Sequence, residues 1–168
     1  SIEIVNINGT DDIANPDQIV VRLNSVTTDL EVAITTSGFT TTQSFFPPPV
    51  APTVTINVNG LDGDDIVVID HRNGFVDGDI VLDGGNGADS LQVLDVGSVA
   101  SNLSATYTPG DSPDNGTVLL AEGDLRQLIT FSGLTPVEFS GIAQATIQTP
   151  RSSDAVTLAA DTGPISGL

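Results

Sequence analysis

The residues with the most chemistry in them are aspartates set in glycine turns. Gly84-Gly85-Asn86-Gly87-Ala88-Asp89-Ser90-Leu91-Gln92 holds three glycines, an aspartate and an apolar residue at fixed offsets. Glycines let the backbone curl so that successive carbonyl oxygens point to one place. Asp89 adds charge, and Leu91, two positions on, is expected to point into the core and pin the turn. Gly60-Leu61-Asp62-Gly63-Asp64-Asp65-Ile66-Val67-Val68 keeps this order, with Leu61 in place of the second glycine and two further carboxylates, Asp62 and Asp64. Carboxylates crowded in this way repel one another, and a bound cation turns the repulsion into ligation. Ca²⁺ accepts six to eight oxygens at flexible geometry, which such a turn can supply. The candidate ligands are Asp62, Asp64, Asp65, Asp70, Asp79, Asp83, Asn86 and Asp89. Asp11, Asp12, Asp111 and Asp114 read as ordinary polar turn residues.

Turns of this kind need strands to hold them, and the composition supplies little else. The chain has 168 residues, with 17 Gly and 10 Pro and no Cys, Met or Trp. Val, Ile and Thr dominate, as suits a pleated, half-buried surface. Short alternating runs mark the strands: Ile2–Val5, Ile19–Leu23, Leu30–Ile34, Val54–Val58, Ile66–Ile69, Ile80–Leu82 and Leu91–Leu94. Val118–Leu120, Ile129–Phe131, Val137–Phe139 and Ala145–Ile147 follow. Asx-Gly steps such as Asn59-Gly60, Asp83-Gly84 and Asn115-Gly116 separate many of them. Residues 105–107 and 117–120 are predicted to form a hairpin around a long Pro/Gly loop; residues 35–53 read as a long connector, whose Phe45-Phe46-Pro47-Pro48-Pro49 is a rigid link or an edge that blocks further pairing.

At an offset of 24 residues the two turns and their strands overlie each other. Ile56 falls on Ile80, Val58 on Leu82, Gly60 on Gly84, Asp65 on Asp89, Val67 on Leu91 and Ile69 on Val93. Each copy reads strand, Gly/Asp turn, strand, with a weaker echo at Ile7–Asp12 whose second strand follows Pro16-Asp17. Stacked units bury an apolar stripe that one unit cannot bury alone.

These residues resemble the hemolysin-type (RTX-like) calcium-binding repeats and, more broadly, the Gly/Asp repeats of very large bacterial surface proteins. The strict likeness covers about Val54–Leu94. It implies a right-handed parallel β-helix or β-roll in the middle of the chain, calcium at the turns, and export. The departure is that a regular β-roll repeats every nine residues in tandem, whereas here the unit is near 24.

The expected architecture is therefore all-β: one module over 1–168, with N-terminal strands and the Pro-rich connector over 1–53. Solenoid coils follow over 54–100, then a hairpin or small sandwich-like part over 101–158 and a linker over 159–168. The rival fold is an Ig-like β-sandwich. The net charge of −18, from 22 acids against four Arg, argues against nucleic acid and anionic membranes as partners and favours divalent cations. No apolar run approaches the ~20 residues of a membrane span. The single histidine, in Asp70-His71-Arg72, is expected on a surface turn and outside any catalytic pair, and the chain is not expected to be an enzyme. The expected role is a calcium-stabilised structural or adhesive module at the cell surface, associating with further copies of itself or with neighbouring repeats. The alternative is a calcium-binding accessory module of a secreted polysaccharide-active enzyme, against which the scarcity of aromatics (one Tyr, six Phe) argues.

Overall fold

Alternating β-branched residues punctuated by glycine leave the backbone one economical option, which is short strands joined by tight turns. A computed structural model describes residues 3–45, 54–96 and 102–149. Among these there are thirteen strands and no helix. The first eight are β1 (Glu3–Asn8), β2 (Asp17–Leu23), β3 (Leu30–Thr36), β4 (Phe39–Phe45), β5 (Val54–Asn59), β6 (Ile66–Asp70), β7 (Asp79–Asp83) and β8 (Asp89–Leu94). The rest are β9 (Ser104–Pro109), β10 (Gly116–Glu122), β11 (Leu125–Ser132), β12 (Leu134–Ser140) and β13 (Gln144–Ile147).

They form two mixed sheets, ordered β1-β5-β7-β11-β10-β9-β13 and β12-β8-β6-β2-β3-β4. Neither sheet closes on itself. Through the middle of each the pairing is parallel: β1 with β5, β5 with β7 and β7 with β11 in one, β2 with β6, β6 with β8 and β8 with β12 in the other. The partners of the 24-residue offset are neighbours in these ladders. Ile56 lies beside Ile80 and Val58 beside Leu82, and Val67 lies beside Leu91 and Ile69 beside Val93. An Ig-like sandwich is built from antiparallel sheets, so this pairing departs from that fold.

The antiparallel ladders lie at the flanks. β2-β3-β4 is a meander at one end, and β11-β10-β9 is a meander at the other, with β13 added in parallel to β9. The hairpin at 105–120 is present, but it extends the seven-stranded sheet and does not form a small sandwich of its own. β4 is a further difference, because it lies inside the stretch expected to be a connector. Ser37 and Gly38, both at positive φ (52° and 80°), make the tight turn that folds Phe39–Phe45 back on β3. Pro47-Pro48-Pro49 and the linker expected over 159–168 lie outside the described residues.

Inward-facing side chains of both sheets form one cluster, including Ile7, Ile19, Val58, Val67, Ile80, Leu91, Val118 and Ile129. At about 25 cal/mol per Å² of apolar surface, each such side chain contributes roughly 1.5–3 kcal/mol by burial. The parallel strands thereby bring their Gly/Asp turns into register along one edge of the molecule.

Candidate functional site: a column of glycines and aspartates

Each β5-to-β6 or β7-to-β8 step must turn the chain from one sheet to the other, and the turns stack as closely as the strands do. The amides of Gly9, Gly60 and Gly84 donate to the carbonyls of Asn59, Asp83 and Ser132 in the next ladder over, at 2.8–2.9 Å. A side chain has no room there. A Cβ on Gly60 would sit 2.6 Å from Asp65 Oδ2 and closer still to the Gly84 carbonyl oxygen. Further round, Gly63 N–H donates to the Asn86 carbonyl (2.9 Å) and Asn86 N–H to the Leu61 carbonyl (2.7 Å). Leu61 holds a φ of +77° where Gly85, one turn along, holds +92°. It is a leucine kept in a glycine's conformation.

Behind the glycines runs a column of aspartates. Asp65 Oδ1 accepts the Asp17 N–H at 2.7 Å, and Asp89 Oδ1 accepts the Asp65 N–H at 2.8 Å. Asp17 in turn accepts from Thr10 N–H and Thr36 Oγ1. All three aspartates are buried, Asp65 completely. Their second oxygens differ. Asp65 Oδ2 and Asp89 Oδ2 have no hydrogen-bond partner and rest against the bare Cα faces of Gly60 and Gly84. Burial pushes the Asp65 carboxyl up to about 6; the Asp17 amide opposes the shift, and the charges of Asp89, Asp17 and Asp64 add to it. Burial raises Asp89 too, opposed by the Asp65 amide and helped by Asp64 and Asp83. An unpartnered oxygen of this kind favours a proton or a cation.

The outer rim is more exposed. Asp62 Oδ1 accepts from Asn86 Nδ2 (2.8 Å), and Asp64 Oδ1 from Ala88 N–H (2.9 Å). Asp83 Oδ1 lies 3.3 Å from the Gly85 amide nitrogen it accepts from. Six of the eight predicted ligands, Asp62, Asp64, Asp65, Asp83, Asn86 and Asp89, thus belong to this one pair of turns. Asp70 and Asp79 do not. They stand at the other end of β6 and β7, where Asp70 is held by Arg72 (2.7 and 2.9 Å) and Asp79 Oδ1 accepts from Leu128 N–H (3.0 Å). Among the described residues no three His, Asp or Glu side chains converge tightly enough to hold an ion by themselves. An ion held at the turns would draw on carbonyl oxygens as well.

The chain matches no protein-family model, no curated protein and no solved structure. Asp17 belongs to the aspartate column, although its turn is longer: eight residues separate Gly9 from Asp17, against five from Gly60 to Asp65. The signal was present as Asp17-Gln18-Ile19-Val20-Val21, the same Asp-x-apolar-x-apolar order that opens β6 and β8.

His71 is a second departure. It is buried and does not sit on a surface turn. Its Nδ1 accepts the Val76 N–H at 3.1 Å, and its ring lies 5.2 Å from that of Phe75. Gln127, wholly buried on β11, donates from Nε2 to the carbonyls of Val76 (2.7 Å) and Gly78 (3.0 Å). With Nδ1 an acceptor, the neutral ring carries its proton on Nε2. Burial lowers the His71 pKa to about 4, against the pull of Asp95, Asp70 and Gln127. The group pins the β6–β7 loop onto β11 and is closed to substrate.

Proposed function

We propose that this chain is a calcium-stabilised structural or adhesive module of an extracellular bacterial surface protein. In this reading its four opposed strand pairs, β1/β2, β5/β6, β7/β8 and β11/β12, are coils of a right-handed parallel β-solenoid. The 24-residue register of β5 with β7 and of β6 with β8 supports that geometry.

The observation that carries the calcium reading is the pair of buried, unpartnered carboxylate oxygens, Asp65 Oδ2 and Asp89 Oδ2, behind the stacked glycines. The donor set around them is all oxygen, which is the chemistry of a hard cation. Asp62, Asp64, Asp65, Asp83 and Asp89, with Asn86 and the turn carbonyls, are the residues that would hold the ion. Bound there, Ca²⁺ supplies the positive charge that these carboxylates lack. Without it Asp65 and Asp89 repel each other and the exposed Asp64, which weakens the turn. Turns that carry their carboxylates on a loose, exposed rim suit the weak affinities of extracellular calcium modules, roughly 10⁻⁴–10⁻³ M. Eighteen aspartates without a single lysine keep the surface strongly negative, which raises the local cation concentration.

Calcium titration calorimetry in a magnesium background tests this reading. Wild-type protein is expected to bind, and a double variant, Asp65→Asn with Asp89→Asn, to lose that binding while keeping its β-sheet spectrum. Equal heats for the two proteins would remove the proposed site.

A further inference from the structure

We propose that the two ends of this molecule are the halves of a lap joint, through which copies of the chain stack head to tail with β13 of one copy beside β1 of the next. The proposal rests on the structural reading above and does not need the calcium site. Among the described residues the seven-stranded sheet stops past β1, while the other continues through β3 and β4. Among the same residues the six-stranded sheet stops past β12, while the first continues through β10, β9 and β13. The ends are therefore stepped in opposite senses, and the overhang of one copy fits under the overhang of the next.

Direction and facing agree with this. β13 runs parallel to β9, and two antiparallel steps connect β9 to β11, so β13 points the same way as β7, β5 and β1. Added to the free edge of β1, it repeats the parallel pairing that β1 already makes with β5. Its inward residues, Ala145 and Ile147, then continue the rows of Val5 and Ile7. They follow Ala105 and Tyr107 on β9 yet remain exposed, Ile147 at 47%. On the other step most of the inward face of β4 is uncovered: Phe39 is 82% exposed and Thr41 and Gln43 are exposed, while Phe45 packs on the core. A cleft of about 240 Å³ opens between the β1 edge and the β3–β4 overhang, lined by Ile7, Asn8, Ile34, Thr41 and Gln43 among others.

Charge singles out a second copy as the occupant. Natural edge strands are guarded by charged side chains. In a chain of net charge −18, β4 (FTTTQSF) and β13 (QATI) carry none. The other two edges, β1 and β12, carry one acid each, Glu3 and Glu138. Joining β13 to β1, with β4 on the β12 side, never sets carboxylate against carboxylate. Seven strands in one sheet and six in the other leave one strand's width beside β12, about 4.8 Å. Such a joint is heterologous and open-ended, so it builds filaments and not closed dimers.

The chain has no cysteine, which permits a clean cross-linking test. Asn6 and Thr146 are exposed and face outward on β1 and β13. Asn6→Cys and Thr146→Cys proteins are mixed in chelator and enough salt to screen the net charge, then oxidised. The expected product joins Asn6→Cys to Thr146→Cys, and the double variant gives a ladder of higher oligomers. Ile147→Glu, at an exposed position, is expected to weaken association in sedimentation at least about tenfold with the melting temperature unchanged. Products linking only like with like, or no product with monomers in sedimentation, would overturn the joint. Equal association of wild type and Ile147→Glu would do the same. Because calcium is absent from these experiments, a failed joint leaves a calcium-dependent melting temperature intact, and the converse also holds.

Discussion

Replacing Asp65 by Asn separates the charge of the corner from its shape. The asparagine Oδ1 keeps the bond from the Asp17 amide, 2.7 Å in the parent, and the side chain keeps its volume behind Gly60. What changes is Oδ2, buried and unpartnered, which becomes an amide nitrogen against the bare Cα face of Gly60. The Asp65 carboxyl is raised from 3.8 to about 6, so it binds its proton more tightly folded than unfolded. Folding then takes up a proton between about pH 4 and 6. Stability falls as the pH rises through that window, and the loss is complete above it. About two pH units correspond to at most about 3 kcal/mol at neutral pH. Allowing for solvent reaching the turn and for one amide hydrogen left without a partner, the expected gain from Asp65→Asn in chelator is about 1–2 kcal/mol. For a chain of this size that is a melting temperature higher by roughly 2–8 °C. With calcium present the order reverses, because wild type gains the ion and the variant does not. Thermal melts of both proteins, in chelator and in millimolar calcium near neutral pH, read all four values. A variant less stable than wild type in chelator would refute the reasoning, since the ionised Asp65 would then be a favourable part of the corner.

Three further outcomes follow from the same geometry. His71 is neutral when folded, with its pKa lowered to about 4 from 6.5, so its contribution is lost as the pH falls through that range, opposite in sign to that of Asp65. His71→Asn, which keeps an acceptor for the Val76 amide, should make stability in chelator rise more on acidification from pH 6.5 to about 4 than it does in wild type, as measured by urea unfolding. Leu61→Gly removes a side chain from a φ of +77°, and chemical denaturation should show a gain of about 1 kcal/mol, whereas an unchanged midpoint would mean that the turn bears no strain. Gly87→Ala would drive a Cβ into the Gly63 carbonyl; a loss of at least about 2 kcal/mol in the same assay is expected, and a neutral result would show that the stacked turns are looser than their hydrogen bonds imply.

The parallel core was legible because two units share one length. Val58 to Asp65 and Leu82 to Asp89 are each seven residues, so the alignment of the sequence with itself is also the ladder register. The gathering of Asp62, Asp64, Asp65, Asp83, Asn86 and Asp89 at one pair of turns was legible for the same reason. Asp70 and Asp79 were grouped with them by nearness in sequence, but a five-residue strand carries a side chain to the far end of the sheet, about 16 Å away. β4 was hidden because Phe39-Thr40-Thr41-Thr42-Gln43-Ser44-Phe45 has no apolar alternation to read. It pairs as the edge of a hairpin, where β-branched threonines suffice. The burial of His71 depends on Gln127, whose β11 lies beside β7 through a long crossover that no local pattern announces.

If calcium completes the glycine–aspartate corner, as proposed, the melting temperature of the wild-type chain in millimolar Ca²⁺ differs from that in excess chelator, with Mg²⁺ at the same concentration as the control. A rise of several degrees in calcium, absent with magnesium and abolished by Asp65→Asn, is the predicted result. Superimposable melts in calcium and chelator would contradict the claim and leave the aspartate column as a purely structural seam.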